Sequence, residues 1–260
     1  MGARRSRMLP RRRAPFSVYA RERGESMPER HIVAAGGGSA ESREGQKALS
    51  RYILEVSGKS TPRLAYLGTA SGDCAERFGE MKTAWEELGA VPARLSLFSP
   101  HTREIREFLL DQDVIWVGGG NTRNLLVLWR TWGVDGFLQE AWERGIVLAG
   151  SSAGGLCWFD SGLTDSWGPG YEPLSCLGWL AGSFCPHWDG EAERQPRYQN
   201  LLLDGTLPAG YAVDELVGLH YAGTTPQRIV SGRPDGRAFR AAADEGRVTF
   251  EPLRVDVLPA

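Results

Sequence analysis

The chain has 260 residues, 42% of them hydrophobic and 24% charged, with 33 glycines and nine tryptophans; this describes a globular protein and excludes a disordered one. No apolar run reaches the ~20 residues that cross a bilayer, and Cys74, Cys157, Cys176 and Cys185 form no CxxC pair and are too few for a disulfide scaffold, so a cytoplasmic protein is expected. The net charge of −2 is an average: eight arginines against Glu22 and Glu25 give residues 1–26 a charge of +6, which leaves −8 for the other 234.

For residues 1–26 the candidates are a nucleic-acid-binding arm, an arginine-rich transit peptide and an unstructured extension. No periodic pattern accompanies the charge, so the unstructured extension is favoured, without a function, and 27–260 reads as one domain. From there apolar runs alternate with amphipathic stretches. His31–Ala35 predicts a strand that ends in Gly36-Gly37-Gly38. Residues 40–57 have helical spacing through Ala48, Tyr52, Ile53 and Val56, and Arg63–Leu67 predicts a second strand. Residues 73–88 predict a helix with Phe78, Met81 and Trp85 on one face, followed by a strand at Ala93–Leu97 and a helix at 102–110. Val114–Val117 is strand-like, Asn121–Arg130 and Val134–Trp142 are helical, and Ile146–Ala149 is a strand running into another glycine-rich turn. After about 176, strand candidates at 179–184, 210–214, 216–220, 227–230, 237–241 and 247–250 suggest an antiparallel edge. The expected fold is α/β, three layers, with helices on both faces of a mostly parallel sheet.

Ligands of such sheets gather at the carboxyl ends of the strands, where the turns 36–38, 118–122 and 150–155 fall. Neither of the first two has the glycine spacing of a dinucleotide site or the lysine of a P-loop, so no nucleotide cofactor is expected. Gly150-Ser151-Ser152-Ala153-Gly154 fits G-x-S-x-G between an apolar strand and a helix-compatible stretch. A tight turn flanked by small residues lifts the Ser152 hydroxyl clear of the backbone, and the helix N-terminus offers free N–H groups to an oxyanion. An ordinary glycine-rich turn that only permits close packing is the bland alternative.

A serine nucleophile needs a base, and there are four histidines. His31 and His101 lie upstream, and His220 ends an apolar run where a structural histidine is expected. His187, in Pro186-His187-Trp188-Asp189-Gly190, is the better candidate. Its orienting acid could be Glu215, Asp214, Asp189 or Asp165; spacing alone does not choose. No histidine–carboxylate cluster has metal-ligand spacing, so no metal is expected. The tryptophans read as core, with Trp188, beside His187, the one that could border a site.

Trp116-Val-Gly-Gly-Gly-Asn-Thr122, Ser152-Ala-Gly154 and Pro186-His187, in that order, resemble the peptidase E (aspartyl dipeptidase) family of serine peptidases, as do the opening glycine turn and Leu67-Gly-Thr-Ala-Ser-Gly72. The resemblance runs from about His31 to His220 and implies a fold like that of class I glutamine amidotransferases. It implies Ser152 as nucleophile, His187 as general base, and the N–H groups of Gly120 and Ala153 as an oxyanion hole. The third member would be Glu215, with Asp214 as runner-up and Asp165 a further acid of the region. Asn121 and Arg194 would bind substrate, with Arg197 as a substitute for Arg194. The activity implied is that of an exopeptidase or dipeptidase on small peptides with an acidic N-terminal residue. It would need no cofactor, nucleic acid or membrane, and would be a monomer or homodimer. An α/β-hydrolase-type esterase, whose acid precedes its histidine and would be Asp165, is one alternative. A non-catalytic binding protein on the same fold is the other.

Overall fold

The computed structural model describes residues 28–38 and 43–260; residues 1–26, with the readings offered for them, lie outside these, as do 27 and 39–42. Five strands, β1 (His31–Ala35), β2 (Arg63–Leu67), β3 (Val91–Leu95), β4 (Val114–Val117) and β5 (Val147–Ser151), run parallel in the order β1-β5-β4-β2-β3. Except in β3, at the sheet edge, their apolar runs are nearly continuous because both faces are covered. Ile32 and Ala34 enter one core with Ile115 and Val117, whereas Val33 and Ala35 enter another with Val114 and Trp116. The period of two thus feeds two cores from one strand.

Helices α1 (Arg43–Val56) and α2 (Ala75–Glu87) cover the second face with Leu49, Ile53, Leu54 and Trp85. Helices α3 (Ile105–Leu110), α4 (Thr122–Trp132) and α5 (Val134–Glu143) cover the first through Leu109, Leu125, Trp129 and Leu138. The limits of α4 are chemical. Asn121 Oδ1 accepts the Asn124 N–H at 2.8 Å, and Gly133, at φ 72°, returns its N–H to the Trp129 carbonyl.

Beside β1 the sheet continues with β10 (Val217–Ala222), β11 (Thr225–Ser231) and the short β14 (Asp256–Val257), for eight strands in all. Strand β10 is antiparallel to both β1 and β11. The remaining strands build a second sheet rather than the expected edge. It comprises β6 (Phe159–Thr164), β7 (Glu172–Ser175), β8 (Leu180–Cys185), β9 (Gly210–Val213), β12 (Ala238–Asp244) and β13 (Arg247–Pro252), in the order β13-β12-β9-β8-β6-β7. It begins at Phe159, before the change of pattern expected near 176. Phe-Asp-Ser-Gly-Leu-Thr and Glu-Pro-Leu-Ser carry little strand signal, and the proline of β7 sits where it is tolerated, on an edge strand. Helix α7 (Arg194–Leu203) packs Tyr198, Leu201 and Leu202 with Trp188, Ala212 and Ala241 of this layer.

His220 on β10 is buried, accepting or donating to Tyr52 Oη at 2.6 Å and to His31 Nδ1 at 3.0 Å. It is a structural histidine of the strand, as its position suggested. Burial, then the neighbouring His31 and Arg228, push its pKa down to about 4. The unfolded chain takes up this proton near the ordinary value of 6.5, so stability is full above that pH and falls as pH drops towards 4. With the residual solvent access of the ring, the loss is on the order of 2 kcal/mol. Urea midpoints between pH 7 and 4 should therefore fall more steeply for the wild type than for His220→Gln; equal slopes would refute the assignment.

Candidate active site

Strand β5 ends at Ser151, and Ser152 takes φ 54° and ψ −114°, outside the regions open to most side chains. Its N–H donates to the Ala35 carbonyl at 3.0 Å, and its carbonyl accepts from Gly155 and Leu156 at 3.0 and 2.8 Å, starting the four-residue helix α6 (Ala153–Leu156). The turn is wedged against β4: a Cβ on Gly154 would fall within 2.7 Å of the Val117 carbonyl carbon. Close approach, more than backbone freedom, demands glycine there.

His187 and Glu215 come from the second sheet. Strands β8 and β9 are parallel neighbours with Cys185 opposite Ala212, so the chain leaves both at the same end and delivers the two side chains together. The first glycine turn fastens them to the main sheet. The His187 N–H donates to the Gly36 carbonyl at 2.9 Å, and the Leu216 N–H donates to the Gly37 carbonyl at 3.0 Å.

Ser152 Oγ lies 2.8 Å from His187 Nε2, and His187 Nδ1 lies 2.9 Å from Glu215 Oε1. The imidazole is 18% exposed and the carboxylate 26%, so the pair is reachable from solvent without being bathed in it. The order serine–imidazole–carboxylate can take a proton from the hydroxyl and stabilise the imidazolium formed. The other acids are elsewhere. Asp214 is fully buried, and its Oδ2 accepts from the Arg237 N–H at 3.0 Å and Nε at 2.8 Å. Both lie in the turn between β9 and β10, which Val217 closes by donating its N–H to the Asp214 carbonyl at 3.3 Å, and the turn sends the two carboxylates to different partners. Asp189 Oδ1 accepts the Glu215 N–H at 2.9 Å, and Oδ2 is paired with Arg233, which fixes the backbone under the carboxylate. Asp165 is exposed and makes no bond to His187.

The 118–120 turn borders the hydroxyl: a Cβ on Gly119 would lie 3.2 Å from Ser152 Cβ. Among the described residues the N–H groups of Gly120 and Ala153 have no acceptor. These are the two N–H groups that the sequence expectation assigns to an oxyanion hole. The Asn121 N–H anchors the turn to the Ala70 carbonyl at 2.8 Å.

The expected substrate contacts fare differently. Asn121 is committed at both ends of its amide, capping α4 through Oδ1 and donating Nδ2 to the Ser166 carbonyl at 3.0 Å. Arg194 is 3% exposed, and its Nε and Nη2 meet Glu191 Oε2 at 2.6 and 2.5 Å. Its Nη1 donates to the Leu163 carbonyl at 3.2 Å, and its guanidinium lies over the Tyr171 ring at 4.4 Å. Arg197 holds Glu172 at 2.8 Å and the Tyr171 carbonyl at 2.9 Å. Neither arginine offers a free fork to a carboxylate. Trp188 is core, packed against Tyr198, Phe239 and Phe250.

Glu191, Tyr171 and Arg233 escaped the sequence reading. Only the i,i+3 spacing of Glu191 and Arg194 could have signalled a pair. Burial works against ionisation of Glu191, but the Tyr171 hydrogen bond and Arg194 outweigh it and hold its carboxyl below the usual range. Burial, and then Glu191, push the Tyr171 hydroxyl up to about 12. Burial also pushes Cys176 and Cys185 up to about 12 and Cys157 well above its ordinary value, so these three thiols are inert as nucleophiles.

Comparison with known proteins bears on this geometry. The model of "Peptidase family S51" matches residues 32–229. The chain is 44% identical over 229 residues, 88% of its length, to the uncharacterized peptidase YgaJ of Bacillus subtilis (strain 168), 99% of which is covered. Among solved structures, a peptidase from an acI-B1 Actinobacterium is similar with a TM-score of 0.65 and 18% identity, over 88% of this chain and 95% of that one. A putative peptidase E protein from Listeria monocytogenes EGD-e is similar with a TM-score of 0.52 and 17% identity, over 88% of this chain and 100% of that one. At these identities the solved structures speak for the fold, which is the class I glutamine amidotransferase-like one. With the family match spanning the glycine turns, Ser152 and His187, the chain belongs to peptidase family S51, the peptidase E family.

Proposed function

We propose that this chain is a serine-type peptidase that hydrolyses short peptides through an acyl-enzyme on Ser152. The observation that carries the reading is the hydrogen-bonded series Ser152–His187–Glu215 in a member of a peptidase family. Ser152 Oγ attacks the scissile carbonyl carbon while its proton passes to His187 Nε2, and Glu215 stabilises the imidazolium. The negative charge that collects on the carbonyl oxygen is met by the N–H groups of Gly120 and Ala153. His187 then returns the proton to the departing amine, the C–N bond breaks, and the ester to Ser152 forms. Water, deprotonated by the same imidazole, cleaves that ester and releases the acid.

An acidic N-terminal residue is not part of this reading, because both arginines on which it rested hold carboxylates of their own chain. The α/β-hydrolase alternative, which needs an acid before the histidine, is disfavoured by the bond of His187 to Glu215. A fluorophosphonate probe tests the proposal against a non-catalytic fold relative. One serine, Ser152, should be modified, as read by peptide mass mapping. Failure of the wild type to label would sink the serine assignment.

A further inference from the structure

From Asn121, next to the 118–120 turn, a connected run of residues leads to Glu191. Asn121 holds the Ser166 carbonyl, the loop continues to Tyr171, and the Tyr171 hydroxyl donates to Glu191 Oε2 at 2.8 Å. Glu191 follows His187 by four positions, and its neighbour Gly190 lies against Glu215: a Cβ there would be 3.6 Å from Glu215 Oε1.

How the bonds are shared decides the chemistry offered to a ligand. The Tyr171 hydroxyl and Arg194 Nε and Nη2 all converge on Glu191 Oε2. Arg194 has thereby spent its fork, with Nη1 on the Leu163 carbonyl, and is 4% exposed at its side chain. Glu191 is 37% exposed, and among the described residues Oε1 has no hydrogen-bond partner. Oε1 is therefore the atom of this ion pair left open to a ligand, with the guanidinium held on Oε2. Such a group selects a cation and repels a carboxylate.

We propose that Glu191 determines specificity in this site: its free Oε1 holds the ammonium group of a peptide substrate, and Arg194 positions Glu191 instead of gripping a substrate carboxylate. The inference rests on the serine-peptidase reading above. The ammonium has two possible sources, the free N-terminus or a lysine side chain, and recognition by Glu191 is the same chemistry in both.

The test is a peptide panel with the full-length enzyme, in which fluorophosphonate labelling records Ser152 reactivity independently of peptide charge. The panel contains alanyl, lysyl and aspartyl dipeptides, with free and acetylated N-termini. Acetylation of the alanyl peptide should lower kcat/KM about tenfold or more, the usual worth of a charge-assisted hydrogen bond. If the cation comes from a side chain, the acetylated lysyl peptide is cleaved well while the acetylated alanyl peptide is not. In either case Glu191→Gln should raise KM for the preferred peptide about tenfold, with kcat changed less than about threefold. Should that variant fail to fold, the wild-type panel decides by itself. An enzyme that labels normally yet cleaves the aspartyl peptide best, or is indifferent to acetylation and to lysine, overturns the proposal alone. One that does not label overturns the reading beneath it.

Discussion

Ser152→Ala is expected to lower kcat for peptide hydrolysis by about 10⁴-fold or more, and to abolish fluorophosphonate labelling. The size follows from what is removed. The hydroxyl lies 2.8 Å from His187 Nε2, and among the described residues the N–H groups of Gly120 and Ala153, on the two turns beside it, have no acceptor. If Gly120 and Ala153 act as proposed, their N–H groups remain and can still polarise a carbonyl for attack by water, so a small residual rate is expected. The fold should be little affected. Alanine meets the same backbone conformation as serine at φ 54°, and the melting temperature should stay within a few degrees, as about 1 kcal/mol shifts a domain of this size by ~2–4 °C. Initial rates on the dipeptide panel, with a thermal melt beside them, check both halves. Activity retained within tenfold would mean that another group forms the acyl-enzyme.

The second large effect is expected at a residue that carries no side chain. Gly37 lies at φ 145°, and a Cβ placed there would come within 2.6 Å of His187 Nδ1, inside the ring's van der Waals envelope. Gly37→Ala must therefore move the imidazole or the turn, and the turn is pinned by the bond from the Leu216 N–H to the Gly37 carbonyl. The movable part is His187, which stands between Ser152 and Glu215. Displacing a catalytic group by about 1 Å costs on the order of 10²-fold, so kcat should fall by at least that much, and labelling of Ser152 should slow in parallel. The strained backbone adds on the order of 1 kcal/mol of destabilisation. Stopped labelling kinetics and a urea melt separate the two contributions. If the variant kept kcat within about threefold, the turn could not be what sets the imidazole.

These two residues illustrate how unevenly the molecule could be read from its letters. The parallel strands β1, β2, β4 and β5 were legible, because a strand covered on both faces must be apolar at every position, and each ends in a glycine turn. Ser152 was legible for the same reason: the turn that exposes it has to be made of small residues, whichever chain carries it. Strand β3 was placed two residues late, since Val91 and Pro92 lie on an edge strand where exposure blurs the pattern. Strands β6 and β7 were missed altogether, being short and interrupted by Asp, Gly and Pro.

The sequence by itself determined the parallel core and the glycine turns at the ends of its strands, and it offered Ser152 and His187 as candidates. These are consequences of local periodicity and steric need, and such constraints are written into neighbouring letters. Only the tertiary structure decided which of four acids reaches His187: the parallel pairing of β8 with β9 brings the turn after β9 beside the imidazole, where Glu215 meets it, while the chain entering the neighbouring β12 presents Arg237 to Asp214. It also decided the fate of Arg194. A guanidinium has no fixed partner in sequence, and a carboxylate three residues away becomes that partner only because Tyr171, brought in from another loop, closes over both. Charge partners are chosen by distance and by loss of water, and both exist only after the chain has packed.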